Sequence, residues 1–272
     1  MLQLFIFNVD LGQCIFVLPS SDRNYAALID CGCDEKIVNF IQKSLPNNVL
    51  GSFTLTNYDE DHFSGICDLS SRVKIKTVCF SKNLTSDEIK KQKEKETEAL
   101  RCLLNIKDKY TKPCPDWNPP YKKCCYSLEI EELNDPSINN LSQMVFLEYK
   151  DFTVCIPGDL ETEGWEKIIK KPDVQNWLKK TRLFIASHHG RENGYYPGVF
   201  DYCKPERIII SDGSIKHGTQ EDMSSIYAKH INGNGILFYD EHRKVLTTRN
   251  DGHITINIDN NSIEYSKLNI NP

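Results

Sequence analysis

The stretch Thr56-Asn57-Tyr58-Asp59-Glu60-Asp61-His62-Phe63-Ser64-Gly65 follows directly after the apolar run Leu50 to Leu55. Within it stand three metal-capable side chains and one amide, in the order Asn57, Asp59, Asp61 and His62. Carboxylates and imidazoles hold Zn²⁺, Mn²⁺ or Fe only when several of them converge on one ion. The stretch therefore predicts part of a metal site at the end of a strand, with further ligands supplied by more distant segments.

Other apolar strands of the chain also end in Asp or His. Pro157-Gly158-Asp159 follows the run 152–156, and Ser187-His188-His189-Gly190 follows the run 183–186. Asp30 ends a further apolar run, 26–29. The candidate metal ligands are Asn57, Asp59, Asp61, His62, Asp159, His188 and His189.

Five short motifs, taken together and in order, resemble the metallo-β-lactamase fold. They are Asp10-Leu11-Gly12-Gln13, Leu28-Ile29-Asp30-Cys31-Gly32, the stretch 55–62, Gly158-Asp159 and His188-His189-Gly190. The pattern is most similar to the competence-type hydrolases, the branch that includes the soluble domain of bacterial DNA-uptake proteins. The resemblance extends over nearly the whole chain. It implies an α/β fold, an αββα four-layer sandwich of two mixed sheets flanked by helices.

The resemblance also implies roles for individual residues. Asp61, His62, Asp159 and His189 form the stronger half of the expected site, with Asp159 as the carboxylate that would bridge two ions. His189 is favoured over His188 because it precedes Gly190, as the last ligand does in related branches. Asp30 is expected to orient a ligand imidazole from outside the first coordination sphere. Asp61 and His217 are the predicted catalytic residues, His217 because it falls near a further active-site His of related sequences.

The sequence departs from the family pattern in the other half of the site. Asn57 stands where the branch usually has His, and an amide is a weak, neutral ligand. Cys14-Ile15 replace the usual Gly-Asp after Gln13, and no His occurs between His62 and His188. Asn139, Asn140 or Ser142 are candidates for a weak oxygen contact there. We expect one or two divalent ions, Zn²⁺ or Mn²⁺, with Mg²⁺ also compatible with oxygen ligands.

Composition favours a cytoplasmic protein with one domain over residues 1–272. No run of 18 apolar residues predicts a membrane span, and the start of the chain resembles a first strand more than a signal peptide. The 11 cysteines are expected to be reduced, since Cys14, Cys79 and Cys155 lie in apolar strands. A charged helix from Ser86, its predicted N-cap, to about Asp108 and a Pro-rich loop are expected to form an insertion at about 84–125.

The Pro-rich loop alternates basic and aromatic residues, among them Lys112, Trp117, Tyr121, Lys122 and Lys123. Aromatic faces beside ammonium groups suit stacking and phosphate contacts with a single-stranded nucleic acid. The alternative is a surface loop that packs its aromatic rings on the domain. The net charge of −5 excludes a wholly basic nucleic-acid coat but not a local basic path.

These observations favour a metal-dependent hydrolase of phosphodiesters, most simply a DNA or RNA nuclease that uses a metal-activated water. One alternative is a degenerate domain of the same fold that binds an unidentified protein partner without turnover, which the change at Asn57 favours. The other is a phosphodiesterase for a small molecule, either a cyclic nucleotide or a phosphorylcholine ester.

Overall fold

The structure is a computed structural model that describes residues 1–112, 114, 116–214, 219–231, 233–238, 241–260 and 262–270. Its strands are β1 (Leu2–Ile6), β2 (Ile15–Pro19), β3 (Ala27–Ile29), β4 (Val49–Thr54), β5 (Lys74–Cys79), β6 (Lys122–Tyr126), β7 (Met144–Tyr149), β8 (Phe152–Ile156), β9 (Thr181–Ile185), β10 (Arg207–Ile210), β11 (Ile236–Phe238), β12 (Glu241–Arg243), β13 (Val245–Thr247), β14 (His253–Ile258) and β15 (Ile263–Leu268). Its helices are α1 (Glu35–Ser44), α2 (Ile66–Arg72), α3 (Ser86–Lys91), α4 (Glu98–Lys109), α5 (Thr162–Ile168), α6 (Pro172–Lys180), α7 (Thr219–Ala228) and α8 (Thr248–Asp251).

The strands form two large sheets, and both are mixed. The first has the order β15-β14-β1-β2-β3-β4-β5, antiparallel as far as β3 and parallel from β3 to β5. The second has the order β13-β10-β9-β8-β7-β6, parallel from β13 to β8 and antiparallel beyond. β11 and β12 form a separate hairpin. The C-terminal strands β14 and β15 pair antiparallel, and β15 lies at the sheet edge.

Alternating side chains of the strands build the layers. One set of aliphatic residues from both sheets, such as Val17 and Ile156, packs into a single buried cluster between the sheets. The neighbouring positions face outward, where Phe5 contacts Phe40 of α1 and Phe184 contacts Trp165 of α5. This period-2 division puts one apolar face against the other sheet and the second under helices. The predicted αββα four-layer sandwich of two mixed sheets flanked by helices is confirmed.

The expected single helix from Ser86 to about Asp108 is wrong, because the segment forms α3 and α4 with a break between them. Its N-cap is Thr85 and not Ser86: the Thr85 hydroxyl accepts from the Glu88 amide, and the Glu88 carboxylate accepts from the Thr85 amide. A second cap then competes with helix continuation, since the Thr97 hydroxyl accepts from the Leu100 amide. Each cap satisfies helix-end donors, so two short helices replace one long one.

One disulfide corrects the expectation that the cysteines are reduced. Cys67 of α2 and Cys102 of α4 are bonded, with their Cα atoms 5.5 Å apart. The predicted free thiols of Cys14, Cys79 and Cys155 are confirmed. In the described part of the chain no helix combines the length and apolarity that a membrane crossing requires.

The C-terminal end of the predicted insertion belongs to a sheet. Residues 122–125 are part of β6, which pairs antiparallel with β7 at the edge of the second sheet. Before β6, the Trp117 ring packs edge-on against Tyr25, with ring centroids 5.3 Å apart. The prolines at 113 and 115 lie outside the described residues.

Candidate metal centre

Four side chains from three loops converge at one point of the fold. They are Asp61, His62, Asp159 and His189, and each offers a ligand atom within 4.8 Å of the others. Asp61 and His62 follow β4, Asp159 follows β8 and His189 follows β9. Because these loops leave the carboxyl ends of parallel strands, the fold brings them to the same end of the sandwich.

The loop that carries Asp61 approaches two glycines very closely. A Cβ atom at Gly32 would lie 1.6 Å from the Asp61 carbonyl oxygen, and one at Gly12 would lie 2.3 Å from it. Gly12 also has φ of +139°, a backbone conformation open mainly to glycine. The Gln13 amide donates to the same carbonyl oxygen at 3.3 Å. The early motifs 10–13 and 28–32 thus enclose the turn that carries the candidate ligand Asp61 from both sides.

Asp30 fixes the orientation of His62. The Asp30 carboxylate is fully buried and lies 2.8 Å from His62 Nδ1. It also accepts hydrogen bonds from Gln13 Nε2 (2.7 Å) and from the amide and hydroxyl of Thr56 (2.7 and 2.6 Å). With Nδ1 engaged, His62 Nε2 lies 3.1 Å from Asp159 Oδ1. Asp30 therefore positions a candidate ligand and is not one itself.

His189 is oriented in the same way from the opposite side. Its Nδ1 donates to the carbonyl oxygen of Ser211 at 3.0 Å, which leaves Nε2 as the atom with a free lone pair. That Nε2 lies 3.3 Å from Asp61 Oδ2 and 3.5 Å from Asp159 Oδ2. Asp159 itself is held by its amide, which donates to the hydroxyl of Ser142.

The cluster has the chemistry of a cation site. The Nε2 atoms of His62 and His189 are buried and have no hydrogen-bond partner among the described residues. Buried polar atoms are rarely left in that state, and here both face carboxylate oxygens. Two imidazole nitrogens and two carboxylates are a ligand set that suits a divalent ion such as Zn²⁺ or Mn²⁺. These residues therefore fit a divalent metal ion.

The pKa values of the clustered side chains result from two opposing effects, burial, which disfavours the charged form, and nearby opposite charges, which favour it. Burial alone disfavours protonation of His189, but the carboxylate of Asp159 outweighs it and raises the pKa of His189 to about 9. The same competition, with Asp159 and Asp30 as the nearby charges, holds the pKa of His62 well above its usual value. Although burial opposes ionisation of Asp159, the two imidazoles lower its pKa well below the usual range. Protons and a metal ion thus compete for the same nitrogens.

Comparison with known proteins supports the architecture. No protein-family model and no curated protein sequence matches the chain significantly. Among solved structures, the metallo-β-lactamase fold protein YhfI from Bacillus subtilis superposes with a TM-score of 0.52 at 10% identity, over 93% of this chain and 98% of that one. Zn²⁺-bound PqqB from Methylobacterium extorquens gives 0.51 at 12%, over 95% and 100%. Yeast PDE1 gives 0.52 at 12%, over 94% and 99%.

The chain has the metallo-β-lactamase fold. At these identities the likeness extends to the fold and not to a particular activity. The cluster of Asp61, His62, Asp159 and His189 is the part of this fold's candidate site that the described residues bring together.

The other candidate ligands predicted from the sequence lie outside that cluster. Asn57 is fully buried, and its amide nitrogen donates to Asn139 Oδ1 and Ser142 Oγ, both at 3.0 Å. Its amide oxygen accepts from the Asp59 backbone amide at 2.6 Å. The Asp59 carboxylate instead pairs with Lys93, with Oδ1 and Nζ 2.5 Å apart. In the weaker half of the predicted site, the polar atoms of Asn57 and a carboxylate oxygen of Asp59 are therefore engaged with other protein groups.

His188 faces another set of groups. Its Nε2 accepts from Arg191 Nη1 at 3.0 Å, and its Nδ1 lies 3.3 Å from Glu161 Oε1. The adjacent positions 188 and 189 both have positive φ, so successive imidazoles of this turn serve different neighbours. His217, predicted as a catalytic residue, lies outside the described residues.

Some of the predicted substrate-binding residues pack within the protein, and others are exposed to solvent. Tyr121 is buried and donates its hydroxyl proton to the Tyr25 carbonyl oxygen at 2.9 Å. Lys123 Nζ donates to Ser52 Oγ and Thr54 Oγ1. Lys112 and Lys122 are exposed, and Lys122 Nζ lies 3.1 Å from Glu148.

The sequence did not identify several residues that contact the side chains of the site. Thr56 and Ser211 contact Asp30 and His189 through hydrogen bonds that join distant loops, and neither residue type marks a metal site by itself. Lys93 lay within a run of mixed charges typical of a solvated helix face. Gln13 belongs to the motif of residues 10–13, so the sequence did indicate a role for it, and its side chain donates a hydrogen bond to Asp30.

Removing the orienting carboxylate should weaken metal binding without removing a ligand. We expect Asp30→Asn to lower the affinity for Zn²⁺ or Mn²⁺ about 10- to 100-fold, the usual effect of losing such a partner. Competition with a chromogenic chelator measures this, and Asp151→Asn, at an exposed turn, is the matched control. An affinity equal to that of the control would contradict the positioning role.

The raised pKa values predict an unusual pH dependence for metal-free protein. A pKa of about 9 for His189 in the folded state, against an ordinary value of 6.5, stabilises the fold fully below about pH 6.5. That contribution is lost as the pH rises through 9. The melting temperature of chelator-treated protein should therefore fall between pH 6.5 and 9, whereas a bound divalent ion takes the place of the protons and should reduce the fall. A flat profile for the metal-free protein would refute this account.

Proposed function

We propose that this protein is a metal-dependent phosphodiesterase, and that its substrate is a nucleic acid, DNA or RNA, as in the competence-type branch that its motifs resemble. The observation that carries the proposal is the pair of unpartnered, buried Nε2 atoms of His62 and His189, which face two carboxylates at one end of the sandwich. Each of these nitrogens lies 3.1 to 3.5 Å from a carboxylate oxygen but has no hydrogen bond among the described residues, and a cation shared by the four side chains would satisfy them.

The four clustered residues would hold the ion. A divalent ion held there supplies a Lewis acid that makes water a nucleophile near neutral pH and balances negative charge on a phosphoryl oxygen. Asp61 has 30% of its side chain exposed, against 4% for Asp159 and 1% for His189. The accessible side of the cluster is therefore the side of Asp61.

Asp61 has the properties of the residue that orients the attacking water. Burial disfavours its charged form, but the hydrogen bond to His189 and the charge of His62 prevail, so the pKa of Asp61 lies below its usual value. The carboxylate is thus ionised at neutral pH and accepts hydrogen bonds from water that reaches it. His62, His189 and Asp159 are too enclosed to take that role.

Support for a nucleic acid comes from the motif resemblance and from the exposed lysines at 112 and 122. Phosphate contacts with such side chains are independent of sequence and sensitive to salt. The rings of Trp117 and Tyr121 are engaged in packing and so contribute less to base stacking than the sequence alone indicates. An unidentified protein partner is a further part of the proposal; the cytoplasmic location that composition favours stays a prediction, with one observation against it. The disulfide between Cys67 and Cys102 counts against a reducing compartment.

The second candidate function is a binding module without turnover. It is favoured by the contacts of Asn57, whose amide donors are both used within the protein. Such a module would retain the fold and the cluster of Asp61, His62, Asp159 and His189 but would not hydrolyse any phosphodiester.

Loss of the central carboxylate decides between these functions. We expect Asp159→Asn to lower Mn²⁺- or Zn²⁺-dependent hydrolysis at least about 100-fold, because the carboxylate that faces both imidazoles is gone. His189→Gln should have the same effect. Rates are measured on single- and double-stranded DNA, on RNA and on bis(p-nitrophenyl) phosphate.

Matched controls exist for both changes. Asp151→Asn and His242→Gln alter exposed residues away from the cluster and should leave the rate unchanged. Wild-type activity equal to that of Asp159→Asn on every substrate would favour the module without turnover. Activity confined to the small diester would exclude the nuclease but not the metal-dependent hydrolase.

A further inference from the structure

The carboxylate of Asp59 is paired with a lysine that comes from another part of the fold. Lys93 Nζ lies 2.5 Å from Asp59 Oδ1, and the Lys93 side chain is 17% exposed while that of Asp59 is 42% exposed. Lys93 lies in the break between α3 and α4, and its amide donates to the Lys90 carbonyl oxygen. The break between α3 and α4 thus places the Lys93 ammonium group next to the loop that carries Asp59 and Asp61.

Asn57, which forms the weaker half of the predicted site together with Asp59, is held in place by its own hydrogen bonds. Its amide nitrogen has both donors engaged, with Asn139 and Ser142, and its oxygen accepts from the Asp59 amide. The Ser142 hydroxyl also accepts from the amide of Asp159, so the same contacts hold a ligand of the metal cluster. A second ion here would have to displace an ammonium group and reverse a buried amide. The residues present do not fit a second ion.

We propose that the Lys93 ammonium is the second positive charge of this site: it occupies the place of a second metal ion at Asp59 and binds an anionic oxygen of the substrate. The inference rests on the proposed function for its substrate, but not for its metal count. An ammonium group has three donors. One contacts Asp59, and since no further partner of Lys93 Nζ is found among the described residues, the other two are left for a phosphoryl oxygen.

Charge explains why the position needs a cation at all. Asp59 is two residues from Asp61, in the same turn, and a phosphodiester would bring a further negative charge to a region already rich in carboxylates. A lysine is a strongly hydrated point charge on a flexible stem. It can hold Asp59 and follow an incoming anion, and it needs no metal from solution.

Metal counting tests this directly. Elemental analysis after gel filtration in Zn²⁺ or Mn²⁺ should give one ion per chain for the wild type and also for Asn57→His, because Lys93 still holds Asp59. The double variant Asn57→His with Lys93→Met should hold two ions, since an imidazole and a free carboxylate then become available. Asn57→His with Lys93→Arg keeps the charge and should hold one.

A second measurement examines the anion. Calorimetric titration of the metal-loaded protein with inorganic phosphate should show affinity about 10- to 100-fold weaker in Lys93→Met than in the wild type, the range for losing a hydrogen bond to a charged group. Lys95→Met, at an exposed lysine on the same segment, is the matched control and should bind as the wild type does. Neither measurement requires turnover.

The outcomes separate this inference from the proposed function. Two ions in Asn57→His alone, one ion in the Lys93→Met double variant, or unchanged phosphate affinity in Lys93→Met would each overturn the role of Lys93. A wild type that binds no ion would overturn the proposed function and the single-ion site together. A wild type with one ion and the expected variant counts, but no hydrolysis, would overturn the proposed function alone.

Discussion

The site depends on one buried carboxylate, that of Asp30. It is fully buried and is surrounded by donors from the loops after β1 and β4: Gln13, Thr56 and His62. A charge in such a place is tolerated only when every lone pair is used, since an unpaired buried ion costs several kcal/mol, on the order of the stability of a domain. Asp30 also has φ of +59°, which Asp tolerates better than most residues. The direction of His62, and with it the geometry of the cluster, follows from this arrangement.

The four clustered candidate ligands could be predicted from the sequence because each of them lies within a short local motif at a strand end. Asp61 and His62 are adjacent, Asp159 follows a glycine, and His189 precedes one, so local backbone geometry nearly determines where they lie once the strands pair. The four-layer architecture was predictable from the resemblance of the five motifs, and it agrees with strands that are nearly all apolar and helices that are charged on one side.

The features that the sequence did not reveal depend on contacts between distant segments. The cap at Thr97 competes with helix continuation, and the charged run from Ser86 gave no reason to prefer two helices over one. The disulfide between Cys67 and Cys102 forms because α2 and α4 pack together and bring the Cα atoms of the two cysteines to 5.5 Å. The spacing of cysteines along the sequence cannot show this. The packed rings of Trp117 and Tyr121 look the same in sequence as rings that stack on bases.

Hydrogen-bond satisfaction separates the two halves of the site more clearly than residue type does. Asn57 and Asp59 are plausible oxygen ligands by composition, yet every polar atom of the Asn57 side chain has a partner in the protein and Asp59 has a lysine. The Nε2 atoms of His62 and His189 have no hydrogen-bond partner in the described part of the chain. A buried group with an unused lone pair and a fixed direction needs a cation or a proton, whereas a satisfied group would lose its existing bonds to gain a new one. The same criterion divides the candidate ligands of this chain: among the described residues the fold leaves lone pairs free at His62 and His189, whereas it uses the polar atoms of Asn57 and Asp59 in contacts within the protein.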